Sequence, residues 1–162
     1  MRVGLSTGAK REAMIAPDLR TSPPPRWNVA IDGVLWLPRL AAKARACDAG
    51  TLGNYLYGQS PVDDSFLRRA GMDYAGFMAI VRAQPDDAGV LAAIEAATPG
   101  ATARLGRWSE ALPRKQMWFL YILDADEGHV APSAFLTVGR KIGNMAFLPV
   151  LALLRAVRPA KL

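Results

Sequence analysis

The stretch LPRLAAKARACDAGTLGNYLYG, residues 37–58, decides how the chain is read. Its first half repeats with a helical period. Leu37, Leu40, Ala41 and Ala44 fall at i, i+3, i+4 and i+7, which lays one apolar stripe along a helix. Pro38 suits the first turn, where a backbone N–H would have no intrahelical acceptor. Arg39 and Lys43 are four apart on the other, polar side, and Arg45 borders the stripe. Gly50 is a natural stop, since glycine takes the left-handed conformation that ends helices. The second half changes character and becomes a bend rich in glycine and hydroxyls, through Thr51, Gly53, Asn54, Tyr55, Tyr57 and Gly58.

Downstream, three short helices carry their own start signals. Asp63 starts one over PVDDSFLRRAG that ends at Gly71. Asp73 starts the next, with Tyr74, Phe77, Met78 and Val81 in a stripe. Asp86 caps a third that turns Val90, Leu91, Ile94 and Ala97 to the core. TPGAT, residues 98–102, breaks that helix. ARLGRWSEALPRK reads as a weak helix ended near Pro113. QMWFLYIL, residues 116–123, is a continuous apolar run. Periodicity does not separate buried helix from buried strand there, and its Met and Leu content favours helix.

Upstream, TSPPPRW forbids helix and predicts an extended lead-in. Residues 1–15 show no period and are expected to be mobile. At the far end, Met145–Leu154 carries no charge, but it is shorter than the ~20 apolar residues that span a bilayer. An apolar C-terminal helix is expected over 141–162. The fold class read from these pieces is all-α: a single compact bundle of short helices over 16–162 with an extended Pro-rich N-terminal lead-in.

A chain of 162 residues suffices for one domain, and its 51% hydrophobic content fits a globular one. The net charge of +6 is unevenly spread. Residues 1–45 hold eight basic and three acidic side chains, residues 46–101 three and seven, and residues 102–162 nine and four. Two basic ends could meet anionic partners, yet no dense Lys/Arg run and no specific nucleic-acid motif occurs. Cys47, the one cysteine, permits no intrachain disulfide, and no secretory signal opens the sequence. Both favour a cytoplasmic location.

The 37–58 stretch resembles the hallmark of a bacterial family known only as domain of unknown function 5069. The matching pieces are Leu37-Pro38-Arg39-Leu40, Lys43-Ala44-Arg45 and Gly50-Thr51-Leu52-Gly53-Asn54-Tyr55. APDLRTSPPP ahead of it, VDDSFLRRAGMD after it and DADEGHV at 124–130 look similar too, so the resemblance covers roughly residues 16–130. Position 42 departs from it, with Ala where the family commonly has an acid. The resemblance implies a fold class and a characteristic centre, and no reaction.

Two constellations could carry chemistry. Thr51, Asn54 and Tyr55, with Lys43 and Arg45 supplying positive charge, would suit a phosphate or carboxylate beside flexible glycines. The spacing of a Walker loop is absent, and no cofactor is implied. The structural alternative has Gly50 ending a helix, Leu52 and Tyr57 packing inward and Arg45 holding an acid such as Asp48. The second constellation is Asp124, Asp126, Glu127 and His129. It reads as a capped, solvated or Arg-paired turn, with a divalent metal as the alternative. Cys47 is expected to be a buried inert thiol, and Trp27, Trp36, Trp108 and Trp118 to be core anchors.

The sequence thus points to a small binding or interaction module. It would recognise an anionic small molecule or a protein partner through Lys43, Arg45, Thr51, Asn54 and Tyr55. The rival is a small enzyme using Lys43 or Tyr55 with the Asp124–Glu127 acids. A third reading is membrane-surface attachment through residues 142–158, flanked by Arg140, Lys141, Arg155 and Arg158. The same C-terminal helix is a candidate homodimer contact.

Overall fold

The computed structural model describes residues 16–130. The readings for 1–15 and for the apolar C-terminal helix lie outside the described residues. Residues 16–29 contain no helix or strand. A two-stranded antiparallel hairpin follows, β1 (Ala30–Ile31) and β2 (Val34–Leu35), paired Ala30 with Leu35 and Ile31 with Val34. Then come α1 (Leu37–Asp48), α2 (Pro61–Ala70), α3 (Tyr74–Ala83), α4 (Asp87–Ala97) and α5 (Ala101–Asp126). The architecture is all-α with this small hairpin attached. The hairpin is an addition to the sequence reading, and Asp32-Gly33 makes it. Both residues have positive φ, 47° and 77°, as a two-residue turn of this kind requires.

The helix starts follow side-chain chemistry. The carboxylates of Asp73 and Asp86 accept from Gly76 N (2.8 Å) and Gly89 N (2.7 Å), capping α3 and α4 as expected. The first turn of α2 differs from expectation. Ser60 is its cap, with Pro61 in the first turn, and Asp63 is left to turn inward. The start of α5 is capped from a distance: Glu95 accepts from Gly100 N (2.6 Å) and Thr102 N (2.8 Å).

Helix α1 lies at the centre. It packs on α3 and α4, α2 packs on α5, and α5 also contacts α4 and β2. Leu37, Leu40, Ala41 and Ala44 are buried, as the stripe predicts, and each leucine contributes about 2 kcal/mol by leaving water. Around them lie Phe66, Phe77, Val90, Ile94, Leu105 and Trp108, with Phe66 edge-on to Trp108 at 5.6 Å and to Phe77 at 6.4 Å. Ala97 is exposed rather than in the core, since it is the last residue of α4, beyond the turns that bury Val90, Leu91 and Ile94.

Two expectations about α5 need correction. Pro113 does not end the helix. The chain stays helical to Asp126, and the local break falls at Gln116 (φ −121°, ψ 15°). A proline forgoes the hydrogen bond to the carbonyl four residues back and crowds the turn before it, and α5 continues through Pro113, its break lying three residues further on. The run 116–123 is helical, but it is not a buried run: Met117, Trp118 and Phe119 are exposed, while Leu120 is buried.

Candidate functional site

Arg39 and Lys43, assigned to a polar face by their spacing, are both buried. Helix α1 is enclosed on all sides, so its cations need partners inside the protein. Lys43 Nζ donates to Asp63 Oδ2, and Trp36 Nε1 donates to the other oxygen of that carboxylate at 2.8 Å. Burial pushes the Lys43 ammonium below its ordinary pKa by more than Asp63 restores. Arg39 makes a two-pronged pair with Glu127, one prong at 2.9 Å, and donates to Pro25 O at 3.2 Å. Its guanidinium also lies 5.4 Å from the ring centre of Trp36 and 5.8 Å from that of Tyr55, so two aromatic faces flank it.

The acids after α5 close this hub. Asp124 accepts from Arg26 Nε (2.9 Å), Arg26 Nη2 (2.6 Å) and Trp27 Nε1 (3.0 Å). Burial alone would raise the Asp124 carboxyl, but the bonds from Arg26 and Trp27 outweigh it and hold the pKa below 3.8. Asp124 and Glu127 are therefore paired with arginine rather than left in a solvated turn, one of the outcomes open to acids at a helix C-terminus. His129 Nε2 stands 3.8 Å from Glu127. Among the described residues no group of three or more His, Cys, Asp and Glu side chains is placed to hold a metal ion.

The five residues singled out from the sequence do not meet at one point. Lys43 is in the hub with Asp63. Tyr55 is half-buried, with its ring over Arg39, and burial, then the nearby Glu127 carboxylate, push its hydroxyl up to about 12. The enzyme reading needs Tyr55 and Asp124 or Asp126 around one pocket; Asp124 is instead taken by Arg26 and Trp27, and Lys43 by Asp63. Thr51 Oγ1 donates to Pro17 O (2.8 Å), fastening the bend to the lead-in. Gly53 explains why the bend is so specialised. Its φ is +64°, and a Cβ there would lie 3.0 Å from Leu19 O. Asn54 is exposed on the same bend.

Arg45 goes to a different place. Its Nη1 donates to Asp87 Oδ1 of α4 at 2.7 Å, rather than to Asp48, which is held by Arg82 at 2.9 Å. The side chain is only 9% exposed, and its Nη2 is buried with no hydrogen-bond partner among the described residues. Arg45 lines a cavity of about 390 Å³ between the end of α1 and the α3–α4 junction, together with Arg82, Asp48, Gln84, Met78 and Val81. Cys47, next to this wall, is partly buried, and burial and then Asp48 push its thiol up, away from reactivity. Sequence reading missed Arg82, Gln84 and the hub partners Trp36, Arg39 and Asp63. Their one signal was their number: more charges near α1 than one solvated face needs.

Fold and hub together describe a small helical domain organised around a buried, charge-paired centre. The family model described as "Domain of unknown function (DUF5069)" matches residues 22–118, more than half of the chain, and the protein belongs to that family. The match contains the whole 37–58 signature and stops short of the acids at 124–127. A comparison with curated proteins finds no match. No helix among the described residues is long and apolar enough to cross a membrane.

Proposed function

We propose that the protein is a binding module whose ligand is a small molecule with a carboxylate or phosphate head, taken up in the cavity of Arg45 and Arg82. The observation that carries this is the cavity itself, walled by two arginines, Arg45 and Arg82; Arg45 also has a donor, Nη2, sealed from solvent and without an acceptor among the described residues. Leaving such a donor unmet costs about 1–3 kcal/mol, and a turn of the guanidinium into the cavity would let an anionic oxygen recover it. Formal charge in the cavity is already balanced, Arg45 by Asp87 and Arg82 by Asp48. The attraction is thus directed hydrogen bonding, strengthened by the charge on the donor. Met78, Val81 and Pro85 offer the apolar wall that a short carbon chain would cover.

Thermal unfolding with added inorganic phosphate or succinate tests this. At roughly a hundredfold excess over Kd the midpoint should rise by about 5 °C. Arg45→Gln should abolish the rise. Arg82→Gln, which alters an exposed pair and should leave the fold intact, should reduce it. No shift with either anion, or equal shifts in wild type and both variants, would refute the reading.

A further inference from the structure

Around its break at Gln116, α5 presents Arg114, Lys115, Gln116, Met117, Trp118 and Phe119 in succession, all exposed. Met117, Trp118 and Phe119 are 72%, 59% and 41% exposed. Successive residues of a helix are turned by about 100° from one another. These three therefore face most of the way round the axis, and buried Leu120 takes the remaining side. A rigid partner groove covers one side of a helix. A fluid apolar medium covers three. Consecutive exposed Met, Trp and Phe make the kind of patch that marks an interaction surface.

The charge lining the cavity beside the patch has one sign. A cavity of about 540 Å³ between α2 and α5 runs from Trp108 to Phe119, and its lining includes Arg68, Arg69 and Lys115 and no carboxylate. The sequence that follows the described residues has the same bias: 131–162 holds five basic residues and no acid. The charged residues of the chain's own tail, or of a second copy's, would thus repel this surface, and the cover they oppose least is an anionic one.

We infer that this part of α5 docks on an anionic phospholipid surface. Met117, Trp118 and Phe119 enter the boundary between headgroups and acyl chains, and Arg68, Arg114 and Lys115 lie against the lipid phosphates. Tryptophan suits that depth, having an apolar body and a polar N–H. The inference is independent of the Arg45 cavity, which lies at the α1 and α3–α4 side of the fold.

The test is co-sedimentation of the full chain with vesicles of phosphatidylcholine, with and without roughly one-third phosphatidylglycerol. Binding should need the anionic lipid and weaken severalfold as salt rises from about 0.1 M to about 0.5 M. Arg114→Gln and Lys115→Gln should each weaken it about fivefold. The triple change M117S/W118S/F119S should abolish it while circular dichroism and the unfolding midpoint stay near wild type. Failure of wild type to sediment with anionic vesicles would overturn the inference. So would a triple variant that binds like wild type, which would move binding to residues outside α5. A triple variant that merely turns a dimer into a monomer, with no lipid binding in either form, would make the patch a self-contact and overturn it too.

Discussion

Asp63 is fully buried and serves two donors, the Lys43 ammonium and the Trp36 indole. Removing the carboxylate strands a cation in a medium that solvates it poorly. Asp63→Ala should therefore cost about 3–5 kcal/mol in urea unfolding. The paired change Lys43→Met with Asp63→Leu, which removes both charges, should recover most of that loss. A cost below about 1 kcal/mol for Asp63→Ala would mean the pair contributes little. Trp36 adds a local strain, standing in the left-handed region at φ 70° just before α1. A bulky residue there costs roughly 1–3 kcal/mol, and its position is fixed by the Asp63 bond and the overlying Arg39. None of this is visible in the spacing of Arg39 and Lys43, because a polar stripe on a helix reads alike whether water or a carboxylate faces it. The apolar stripe Leu37, Leu40, Ala41 and Ala44 was legible, since its position on the core side follows from period alone.

At the scale of elements, the local signals that work are those whose chemistry is complete within a few residues. Asp73 and Asp86 were readable as caps because each bonds the N–H three positions on. Asp63 resembled them in sequence, but Ser60 does the capping, and the carboxylate is claimed by α1 instead. The Asp32-Gly33 turn was readable in principle and was hidden by strands of two residues, too short to show alternation. Two glycines give a paired prediction. Gly33→Ala should destabilise by about 1–2 kcal/mol through its positive φ alone, since nothing lies within 4 Å of the added Cβ. Gly106→Ala, within α5 and also in open space, should stabilise by about 0.5–1 kcal/mol. Chemical denaturation reads both, and a change of the same sign in the two variants would contradict the assigned conformations.

For the whole molecule, stability depends on carboxylates held below their ordinary pKa. The Glu95 carboxyl is held down by the N–H groups of Thr102 and Gly100, and that of Asp124 by Arg26 and Trp27 against its burial. A carboxyl that is more acidic folded than unfolded contributes fully above its unfolded value. Its contribution is lost as pH falls through the folded value. The urea midpoint should therefore fall as pH drops below 4.5 and then 3.8, the ordinary values of the two groups. Asp124→Asn should lower the neutral-pH stability by about 2–3 kcal/mol and make the acid limb shallower. An acid limb identical to wild type would show that other groups govern it. The site is the least legible part at this scale. Arg45 could be named from its sequence neighbourhood, but Asp87 and Arg82 lie about 40 residues along, on helices whose packing no local pattern encodes.

The hub also sets an order on how the chain can come into being. Arg26 and its acceptor Asp124 are 98 residues apart, and Arg39 and Glu127 are 88 apart. A polypeptide leaving the ribosome offers both arginines long before it offers either acid. Until the last turn of α5 emerges, Arg26 and Arg39 have no carboxylate to answer them, so the nascent helices cannot seal their centre early. Closure is reserved for a nearly finished chain, and one cut off ahead of residue 124 carries both of those charges without the means to neutralise them.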